Sequence, residues 1–597
     1  MKKITIGLAS CGLAAGAGRI KNIIFKEIKA NVSEVDLMET GCIGMCYNEP
    51  LVEVFTDKGR WLYGNVTEEK AKIIIEHHSK DDSPIIEWLV KADEIETEDD
   101  TFFQKQIKIA SRNCGIIDPT NIDDYIAAGG YKSLEKVLKM TPEDVIEEVK
   151  KSAIRGRGGG GFPTGIKWES AIKAAKDKNV NPILVCNADE GDPGAFMDRN
   201  LLESDPHSII EGMIIGAFAI SSNEGYIYIR KEYPLAVERI INALEQTRAK
   251  GFLGKNILNS GFDFDIIIHR GAGAFVCGES TALMASMQGK VGEPKVKYIH
   301  NVESGFKGKP TVLNNVETWA NIPVIIEKGA DWFAKIGSGD VSENPWNGSS
   351  GTKVFSLVGK INRTGLIEVP MGITLREIVY DIGGGIPKGR KFKAIQTGGP
   401  SGGCLPESLL DSPVDFDTLT KAGSMMGSGG MIVMDDKTCM VDIAKYFISF
   451  LKEESCGKCT PCREGLIALD RILKRITNGK GRNGDMELIE DICATMKISS
   501  LCELGKSAPN PILSTIKYFR DEYEAHIKDK KCPAGVCKEL ISYSVNDNCT
   551  GCTICAKKCP VNAISGKVKE KHIIDPELCI KCNVCYEVCK FDAITVK

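Results

Sequence analysis

The sequence RGRGGGGFPTGIKWES occupies residues 155–170 and contains six glycines in sixteen positions. Because glycine has no Cβ atom, the backbone N–H groups of such a loop can closely approach a flat or phosphorylated ligand. Lys167 adds one positive charge to the same stretch. The glycine spacing matches neither a P-loop nor a dinucleotide-binding fingerprint, so the loop by itself also suits a turn or a linker.

The segments on either side of this loop indicate alternating helices and strands. Thr141-Pro142-Glu143-Asp144 predicts a helix start, with a capping hydroxyl, a proline in the first turn and acids at the positive end of the helix dipole. Residues 181–185 predict a short buried strand, which NADEGDPGAFMDR at 187–199 follows with four acidic residues. An α/β layering is completed by predicted strands at 227–230 and 264–268 and an amphipathic helix at 235–250.

Three further motifs follow along the chain: GAGAFVCGESTALM at 271–284, GKPTVLNNVETW at 308–319, and ESCGKCTPCREG at 454–465 with SLCELG at 500–505. In this order they resemble the flavin subunit of respiratory NADH dehydrogenases and of soluble, electron-bifurcating iron hydrogenases. The resemblance covers residues 118–526, and its closest subtype is the subunit of an NADP-linked hydrogenase and formate dehydrogenase complex. It implies that FMN binds on the central loops.

Composition and charge exclude several classes of function. A chain of 597 residues is long enough for about four domains, and a net charge of −4 argues against a nucleic-acid or membrane partner held by charge. The 23 cysteines fall largely in tight C-x2-C groups, which indicate metal sites in a reducing compartment rather than disulfides. The N-terminal ITIGLASCGLAAGAG mimics a secretory or lipoprotein signal, but glycines interrupt it and no apolar run approaches the ~20 residues of a membrane span. We therefore predict a cytoplasmic protein.

The predicted fold is multidomain and combines α/β with α+β parts. The thioredoxin-like and β-grasp assignments follow from the resemblance, the linker from its acidic composition, and the helical region from its periodicity. The expected domains are a thioredoxin-like domain at 1–80, an acidic linker at 81–100, an α/β domain for FMN and NAD(P) at 101–343, a β-grasp insert at 351–433, a helical bundle with one [4Fe–4S] cluster at 439–526, a zinc-pinned connector at 527–541 and a ferredoxin-like domain with two [4Fe–4S] clusters at 542–597.

The N-terminal 80 residues predict strands at 3–8, 35–38, 51–56 and 60–63 and helices at 19–29 and 68–77. This order resembles the thioredoxin-like domain that carries a [2Fe–2S] cluster in the family. Cys11, Cys42 and Cys46 match three of the four cysteines of that domain, but Ile6 stands where the first cysteine should be. Four thiolates normally hold such a cluster, so either a substitute ligand completes it or the domain is kept for docking without a cluster.

Two cysteine motifs predict four-iron clusters. Cys456, Cys459 and Cys462 form C-x2-C-x2-C with Cys502 as a distant fourth ligand, a set that a zinc ion would also accept. Near the C-terminus a C-x2-C-x2-C-x3-C run occurs twice, thirty residues apart, as in two-cluster ferredoxins, where the fourth cysteine of each run ligates the other cluster. The expected sets are Cys549, Cys552, Cys555 and Cys589 for one cluster and Cys579, Cys582, Cys585 and Cys559 for the other. A zinc-stapled tail is the alternative.

A third kind of metal site is predicted between these modules. His526, Cys532 and Cys537 suit a closed zinc site whose fourth ligand the sequence does not identify, and the alternative is two incidental thiols beside a surface histidine. Most of the remaining cysteines are expected to be small buried hydrophobic residues, although one of them could complete the zinc site. They are Cys114, Cys186, Cys277, Cys404, Cys439 and Cys493.

The resemblance also implies the residues of the flavin and nucleotide sites. FMN and its phosphate would meet Gly156, Gly158, Lys167, Asn187, Asp189, Glu190, Gly278, Glu279, Asn314 and Asn315. The dinucleotide would meet Phe162, which would stack on its adenine, together with Ser170, Ser280, Lys295, Lys297, His300 and Lys307.

The departures from the family pattern decide the expected nucleotide. NADH-using members carry two consecutive glutamates where this chain has Glu279-Ser280, and the second glutamate would hold the adenosine ribose. A carboxylate there repels the 2′-phosphate of NADP, whereas serine does not. Ser170 and His300 replace aromatic clamps, and Lys307 replaces a tryptophan. The exchange of a negative for a positive charge favours NADP(H) over NAD(H).

The predicted function is an FMN and iron–sulfur oxidoreductase subunit that exchanges hydride with NADP(H) and single electrons with its clusters, by electron bifurcation or confurcation. Its expected partners are a hydrogenase catalytic subunit, a small [2Fe–2S] subunit, ferredoxin and, in one variant, formate dehydrogenase. The alternatives are an NADH-specific diaphorase subunit and an electron-wiring scaffold without an active flavin.

Overall fold

The computed structural model describes residues 2–31, 35–80, 82–296 and 298–596. The chain divides into two compact units, Met1–Val433 and Met434–Lys597, which we describe separately. Among the described residues, every helix is too short or too polar to cross a membrane.

The first unit begins with a five-stranded sheet of order β2-β1-β3-β4-β5, in which β1 and β2 are parallel and the other pairs antiparallel. Ile4, Ile24, Val54 and Ile74 form part of its core, where the helices cover the sheet. The strands are β1 (Lys3–Gly7), β2 (Asp36–Thr40), β3 (Val52–Thr56), β4 (Gly59–Tyr63) and β5 (Leu89–Ala92), and the helices are α1 (Ser10–Ala15), α2 (Ala17–Asn31) and α3 (Glu68–Lys80).

The segment predicted as an acidic linker differs from that expectation. Residues 86–92 form a short helical turn and β5, which pairs with β4, so the sheet extends into the predicted linker. Asp99 accepts hydrogen bonds from Tyr47 Oη at 2.7 Å and Asn48 Nδ2 at 2.9 Å. An acidic residue that caps local polar groups has the same composition as a solvated one, which is why the sequence misled here; Asp81 lies outside the described residues.

The middle of the first unit is a four-stranded parallel sheet of order β8-β7-β6-β9 surrounded by helices. Two of these helices, α10 and α14, pack against each other and are almost wholly buried. The predicted capping box is present at α7, where Thr141 and Asp144 bond reciprocally. The strands are β6 (Ile183–Ala188), β7 (Glu224–Ile229), β8 (Asp265–Arg270) and β9 (Thr311–Asn315). The helices are α4 (Asp100–Gln104), α5 (Ile122–Ala127), α6 (Lys132–Val137), α7 (Pro142–Lys151), α8 (Thr164–Lys178), α9 (Met197–Ser204), α10 (Pro206–Ile220), α11 (Pro234–Ala249), α12 (Ser280–Met287), α13 (Asn301–Ser304), α14 (Val316–Lys328) and α15 (Ala330–Ala334).

A mixed five-stranded sheet of order β13-β12-β16-β14-β15 follows where the β-grasp insert was expected. Its strands β12 and β13 are antiparallel, whereas β12 and β16 are parallel. A two-stranded hairpin of β10 and β11 precedes it. The elements are β10 (Gly337–Gly339), β11 (Gly348–Ser350), β12 (Thr352–Gly359), β13 (Gly365–Pro370), β14 (Phe392–Thr397), β15 (Gly403–Pro406), α16 (Phe416–Lys421) and β16 (Gly430–Asp435).

The second unit contains a helical region followed by a small tail with two hairpins. The longest helices, α17 and α18, pack along buried apolar faces that include Phe447, Leu451 and Leu469. In the tail, β17 pairs with β20 and β18 with β19, both antiparallel. The elements are α17 (Met440–Glu454), α18 (Thr460–Thr477), α19 (Asp485–Ser499), α20 (Glu503–Ser507), α21 (Asn510–Tyr518), α22 (Arg520–Glu524), β17 (Tyr543–Val545), α23 (Ile554–Lys558), β18 (Ile564–Ser565), β19 (Ile573–Ile574), α24 (Val584–Glu587) and β20 (Ile594–Val596).

Candidate functional site

Two predicted motifs meet at the carboxyl end of the parallel sheet. Strands β6 and β9 are neighbours, and their register pairs Cys186 with Asn314 and Asn187 with Asn315. The amide side chains of both motifs therefore lie at one edge, where the strands end. In open α/β sheets this edge is the usual place for a bound ligand.

The glycine-rich loop lies beside the same edge. Arg155 and Pro163 form a β-bridge, and Gly156 N donates to Phe162 O at 2.9 Å, so the loop closes on itself. A Cβ atom added at Gly158 would lie 3.0 Å from the Cβ of Asn315, which shows how closely the loop approaches β9. Around Gly160 a Cβ atom would meet nothing within 4 Å, so this part of the loop is open.

Lys167 and Asn314 form a site for an anion. Lys167 Nζ is buried and donates to Leu313 O at 2.9 Å and to Asn314 Oδ1 at 3.0 Å. Burial lowers the pKa of Lys167 to about 8. Asn314 Nδ2 is also buried and has no hydrogen-bond partner among the residues that the structure describes. A buried ammonium group beside an unused N–H group fits the phosphate or polar edge of FMN.

The acidic motif after β6 has a partly structural role. Asn187 Nδ2 donates to Gly278 O at 3.0 Å, and Asn187 Oδ1 accepts from Asp189 N at 3.0 Å. Glu190 accepts from the backbone N–H groups of Asp198 and Arg199 at 3.1 and 3.2 Å, at the start of α9, and from Tyr233 Oη at 3.1 Å. Burial raises the pKa of Glu190. Both carboxylate oxygens of Glu190 thus bond within the protein.

Glu279 and Asn315 likewise cap helices. Glu279 accepts from Thr281 N at 2.9 Å and Ala282 N at 3.0 Å at the start of α12, and the Ser280 hydroxyl donates to it at 3.2 Å. Asn315 Oδ1 accepts from Glu317 N at 2.9 Å and starts α14, while its Nδ2 donates to Asp198 Oδ2 at 2.5 Å. Several residues predicted to bind the flavin therefore also hold the loops that would surround it.

The residues predicted for the dinucleotide are spread over several loops. The ring of Phe162 is 43% exposed and packs edge-to-face on Trp346 at 5.4 Å. Lys295 N donates to Thr281 Oγ1 at 2.9 Å, which brings Lys295 next to the Ser280 segment. Ser170 Oγ donates to Ile166 O within α8, and His300 begins α13. Lys307 Nζ lies 3.9 Å from Glu224, and Lys297 lies outside the described residues.

Arg157 and Trp346 are functional neighbours that the sequence did not reveal. Arg157 is fully buried and donates to Arg155 O at 2.6 Å, Ser350 O at 2.7 Å and Thr352 O at 3.0 Å, which ties the glycine loop to the start of the insert. Burial lowers the pKa of Arg157 to about 10. An arginine inside a glycine-rich loop is expected to face a ligand, and only the tertiary structure shows that this one faces carbonyl oxygens.

The cysteines predicted for the helical cluster lie at two helix starts. Cys459 and Cys462 are at the beginning of α18, and Cys502 immediately precedes α20. The backbone N–H of Leu501, next to Cys502, donates to Cys459 Sγ at 3.5 Å. A Cβ atom on Gly505 would lie 3.0 Å from the Cβ of Cys462. The distant fourth cysteine and the C-x2-C-x2-C run are therefore neighbours.

Two cavities in the tail are each lined by four cysteines. One cavity is lined by Cys549, Cys552, Cys555 and Cys589, and the other by Cys559, Cys579, Cys582 and Cys585. In each case three cysteines come from one run and the fourth from the other run. These are the two sets that the ferredoxin pattern predicts.

The predicted zinc ligands gain a fourth member, Cys439. The ligand atoms of Cys439, His526, Cys532 and Cys537 all lie within 4.8 Å of one another, and all four residues are buried. His526 Nε2 lies 3.4 Å from Cys439 Sγ and 3.3 Å from Cys537 Sγ, while His526 Nδ1 lies 2.7 Å from Glu522 O. That carbonyl fixes the proton on Nδ1 and leaves Nε2 for a metal. The expectation that Cys439 is only a buried hydrophobic residue is thus corrected, because α17 brings it back to the connector.

Comparison with known families matches four parts of the chain. Residues 149–324 match the Nuo51 FMN-binding domain, 354–405 the SLBB domain, and 442–526 the NADH-ubiquinone oxidoreductase-F iron-sulfur binding region. Residues 543–565 and 572–595 each match the 4Fe-4S binding domain. The FMN match contains the glycine loop and both asparagines at the sheet edge.

Individual relatives cover most of the chain. NADP-reducing hydrogenase subunit HndC of Solidesulfovibrio fructosivorans is 56% identical over 82% of this chain and 98% of its own length. The second F-type subunit of the NADH-quinone oxidoreductase of Rhizobium meliloti is 46% identical over 71% of this chain and 98% of its own length. A chain of the NAD+-reducing [NiFe]-hydrogenase in the H2-reduced state has a similar structure, with a TM-score of 0.62, 27% identity, and coverage of 88% of this chain and 84% of that one.

Proposed function

This chain belongs to the family of NAD(P)H-dependent FMN and iron–sulfur oxidoreductase subunits that serve hydrogenases and NADH-quinone oxidoreductases, and we propose that its own nucleotide is NADP(H). We further propose that it works in a multisubunit hydrogenase and delivers electrons to the catalytic subunit. The observation that carries the proposal is the buried pair of Lys167 and Asn314 beneath the glycine loop, at the carboxyl end of the parallel sheet.

The flavin site is supported by the polar groups that the fold leaves available. Lys167 would bind the phosphate or another negatively charged edge of FMN, and Asn314 Nδ2 would donate a second hydrogen bond. The open glycines Gly156, Gly158 and Gly160 would let backbone N–H groups approach the ligand. When bound, FMN supplies the exchange between a two-electron hydride donor and one-electron carriers. The residues around it bind and orient it; none is required as an acid or a base.

NADP(H) rather than NAD(H) is supported by the chemistry at Ser280. A glutamate at this position would place a carboxylate near the adenosine ribose, where it would repel a 2′-phosphate. Ser280 carries no charge, and Lys295 lies on the loop that bonds to the neighbouring Thr281. The relative that reduces NADP shares 56% of the aligned residues with this chain.

The metal centres extend this proposal. We assign three [4Fe–4S] clusters to the Cys456, Cys459, Cys462 and Cys502 set and to the two cysteine-lined cavities of the tail. Cys439, His526, Cys532 and Cys537 would hold one zinc ion as a closed structural site. The helical cluster would lead electrons to the hydrogenase partner, and the tail would serve ferredoxin. Two such exits are what electron bifurcation requires, and formate dehydrogenase would be a further partner in one variant of the complex. The reducing chemistry of these centres suits the cytoplasm.

The experiment is anaerobic reduction of the flavin-loaded full chain by NADPH and, separately, by NADH, with flavin and iron–sulfur absorbance followed together. We expect faster bleaching by NADPH in the native chain. Ser280→Glu should lower the NADPH to NADH rate ratio by roughly tenfold or more, because a single like-charge contact is worth about 1–2 kcal/mol in a partly buried site.

The matched control is Ser499→Glu, which adds the same charge at an exposed serine at the end of α19. It should leave the ratio unchanged. Equal ratios in the native chain and in Ser280→Glu would contradict the assigned role of Ser280, and a native preference for NADH would contradict the nucleotide. A flavin-loaded chain that neither nucleotide bleaches would favour the scaffold.

A further inference from the structure

The N-terminal domain contains a compact group of three cysteines. Cys11 is in α1, Cys42 follows β2, and Cys46 starts the short turn Cys46–Asn48. Their sulfur atoms all lie within 4.8 Å of one another, and Cys42 Sγ is 3.8 Å from Cys46 Sγ. Ile6, which occupies the place of the family's first cysteine, is 1% exposed and packs in the apolar core of the domain. The described part of the domain thus offers three thiolates and no fourth.

The distances between these sulfurs do not suit a two-iron cluster. Thiolates on one tetrahedral zinc ion, with bonds of about 2.3 Å, lie roughly 3.8 Å apart. Thiolates on different irons of a [2Fe–2S] cluster lie farther apart, because the iron–iron separation adds to two outward-pointing bonds. The three sulfurs of the N-terminal group have room for one metal ion only.

The same structure provides an internal reference for this argument. Within the described residues, two groups of metal-ligating side chains meet the 4.8 Å limit: the N-terminal cysteines and the Cys439, His526, Cys532 and Cys537 set. The cysteines proposed for the four-iron clusters do not, although each set lies around one cavity or one pair of helix starts. Sites for clusters are therefore wider than sites for single ions in this protein, and the N-terminal group has the single-ion size.

Glu49 is placed to be the fourth ligand. Its side chain is buried, and Oε1 lies 3.6 Å from Cys11 Sγ. Oε2 accepts from Leu51 N at 3.0 Å, which orients the carboxylate towards the cysteines. A Cβ atom on Gly12 would lie 3.1 Å from Oε2, so glycine at this position makes room for the carboxylate.

The loops that carry the ligands are held from outside by helix α9. Gly44 N donates to Cys42 Sγ at 3.3 Å, and Cys42 N donates to Ser204 Oγ at 3.1 Å. Ser10 N and Oγ donate to the Glu203 carboxylate at 2.8 and 2.6 Å. The segments before Cys11 and around Cys42 are thus tied to the last turn of α9, whose first turn bonds to Glu190 beside the flavin edge.

We infer that Cys11, Cys42, Cys46 and Glu49 bind a single zinc ion in place of a [2Fe–2S] cluster. Three thiolates and one carboxylate form a closed tetrahedral set of ligands that zinc accepts, and zinc has no redox chemistry. The ion fixes the two cysteine loops against α9 and so attaches the N-terminal domain to the flavin domain. Electrons do not leave the flavin through this domain. The inference is independent of the nucleotide and of the partner subunits.

The test is elemental analysis of the full chain purified without oxygen, for zinc, iron and acid-labile sulfide per chain. We expect Cys46→Ser to lower zinc by one ion per chain and to leave iron and sulfide unchanged. Cys404→Ser, at a buried cysteine of β15, is the control and should change none of the three. Joint loss of iron and sulfide in Cys46→Ser would overturn the inference, and so would an unchanged zinc content.

Two further measurements keep the inference falsifiable if Cys46→Ser does not fold. The native chain should contain two zinc ions, and Cys439→Ser should retain one of them; a single zinc ion that Cys439→Ser removes would contradict the N-terminal site. Glu49→Gln should release one zinc ion to a competing chelator roughly 10–100-fold faster than the native chain, as expected when a zinc shell is disturbed. Release at the native rate would show that Glu49 is not a ligand.

Discussion

The flavin edge of the first unit and the ferredoxin-like tail of the second bind their groups in different ways. At the flavin edge, Glu190, Glu279 and Asn315 already cap helices, and the parallel sheet behind them has a large apolar core. In the tail, the buried cluster consists of Cys555, Ile564, Ile574, Cys585 and Ile594, so two of its members are predicted ligands. The first region can fold around an absent ligand, whereas the second depends on its metal.

This difference separates two kinds of residue. A residue that both holds the fold and faces the ligand gives a mixed result when it is changed, because stability and binding fall together. A residue that waits for a ligand costs stability until the ligand arrives. The three predictions that follow use this contrast, and they are ordered by the expected loss of structure.

The largest effect is expected when iron is removed from the tail. A module of this size with so few buried apolar residues needs a staple, and metal binding then supplies folding energy. We expect chelation of iron under denaturing conditions, followed by refolding, to leave residues 543–596 sensitive to protease while the FMN-binding part resists. Limited proteolysis with mass spectrometry measures both. A protected tail without iron would show that its apolar cluster is sufficient.

The crossed ligand sets give this prediction a control. Cys589→Ser and Cys549→Ser lie in different runs but line the same cavity, so both should remove the same cluster and the same electron paramagnetic resonance signal. Cys559→Ser should instead remove the signal that Cys579→Ser removes. Grouping of the signals by run rather than by cavity would contradict the crossing.

The ferredoxin-like tail could be predicted from the sequence, because its ligands are close in the chain. The spacing of Cys549, Cys552 and Cys555 sets the three ligands of one cluster, and the two repeated runs supply the fourth by symmetry. The strand and helix order of the N-terminal domain and the cap at Thr141 follow equally from local pattern. Local chemistry and local geometry point to the same answer in these regions.

The parts that the sequence missed depend on contacts between distant residues. Cys439 joins His526 across 87 positions because α17 and the connector pack together. Glu49 faces Cys11 across 38 positions, and Arg157 reaches the carbonyls of the insert across 193 positions or more. No spacing rule connects such pairs. The acidic segment at 82–100 was misread for a related reason, since β5 is identified by its pairing with β4 rather than by its composition.

An intermediate effect is expected for Lys167, which waits for its ligand. Its lowered pKa, about 8 against 10.5 in the unfolded chain, means that the flavin-free protein gains up to about 3 kcal/mol of stability as pH rises from 8 to 10.5, because the unfolded chain binds more protons over that range. Lys167→Met should remove this gain and stabilise the flavin-free chain at neutral pH. The same variant should weaken FMN binding roughly 10–100-fold, the worth of one charged hydrogen bond.

Denaturant melts across pH and fluorescence titration with FMN measure the two effects of Lys167→Met. Lys150→Met is the matched control, since Lys150 Nζ is paired with Glu169 at 2.9 Å and is not at the sheet edge. It should change neither the pH slope nor FMN affinity. Loss of stability in Lys167→Met at pH 7 would show that the ammonium group already has a partner that offsets its burial.

The smallest effect is expected for Asn315→Ala, which tests the opposite kind of residue. The change removes the cap of α14 and the hydrogen bond to Asp198, and it should destabilise the flavin-free chain by roughly 2 kcal/mol. FMN affinity should fall as well, because the glycine loop packs on the Asn315 side chain at Gly158. The two cradle variants therefore move stability in opposite directions while both weaken flavin binding. If Asn315→Ala instead leaves flavin-free stability unchanged in denaturant melts, the cap at α14 is dispensable, and the distinction between a residue that holds the fold and one that waits for the ligand fails at this edge.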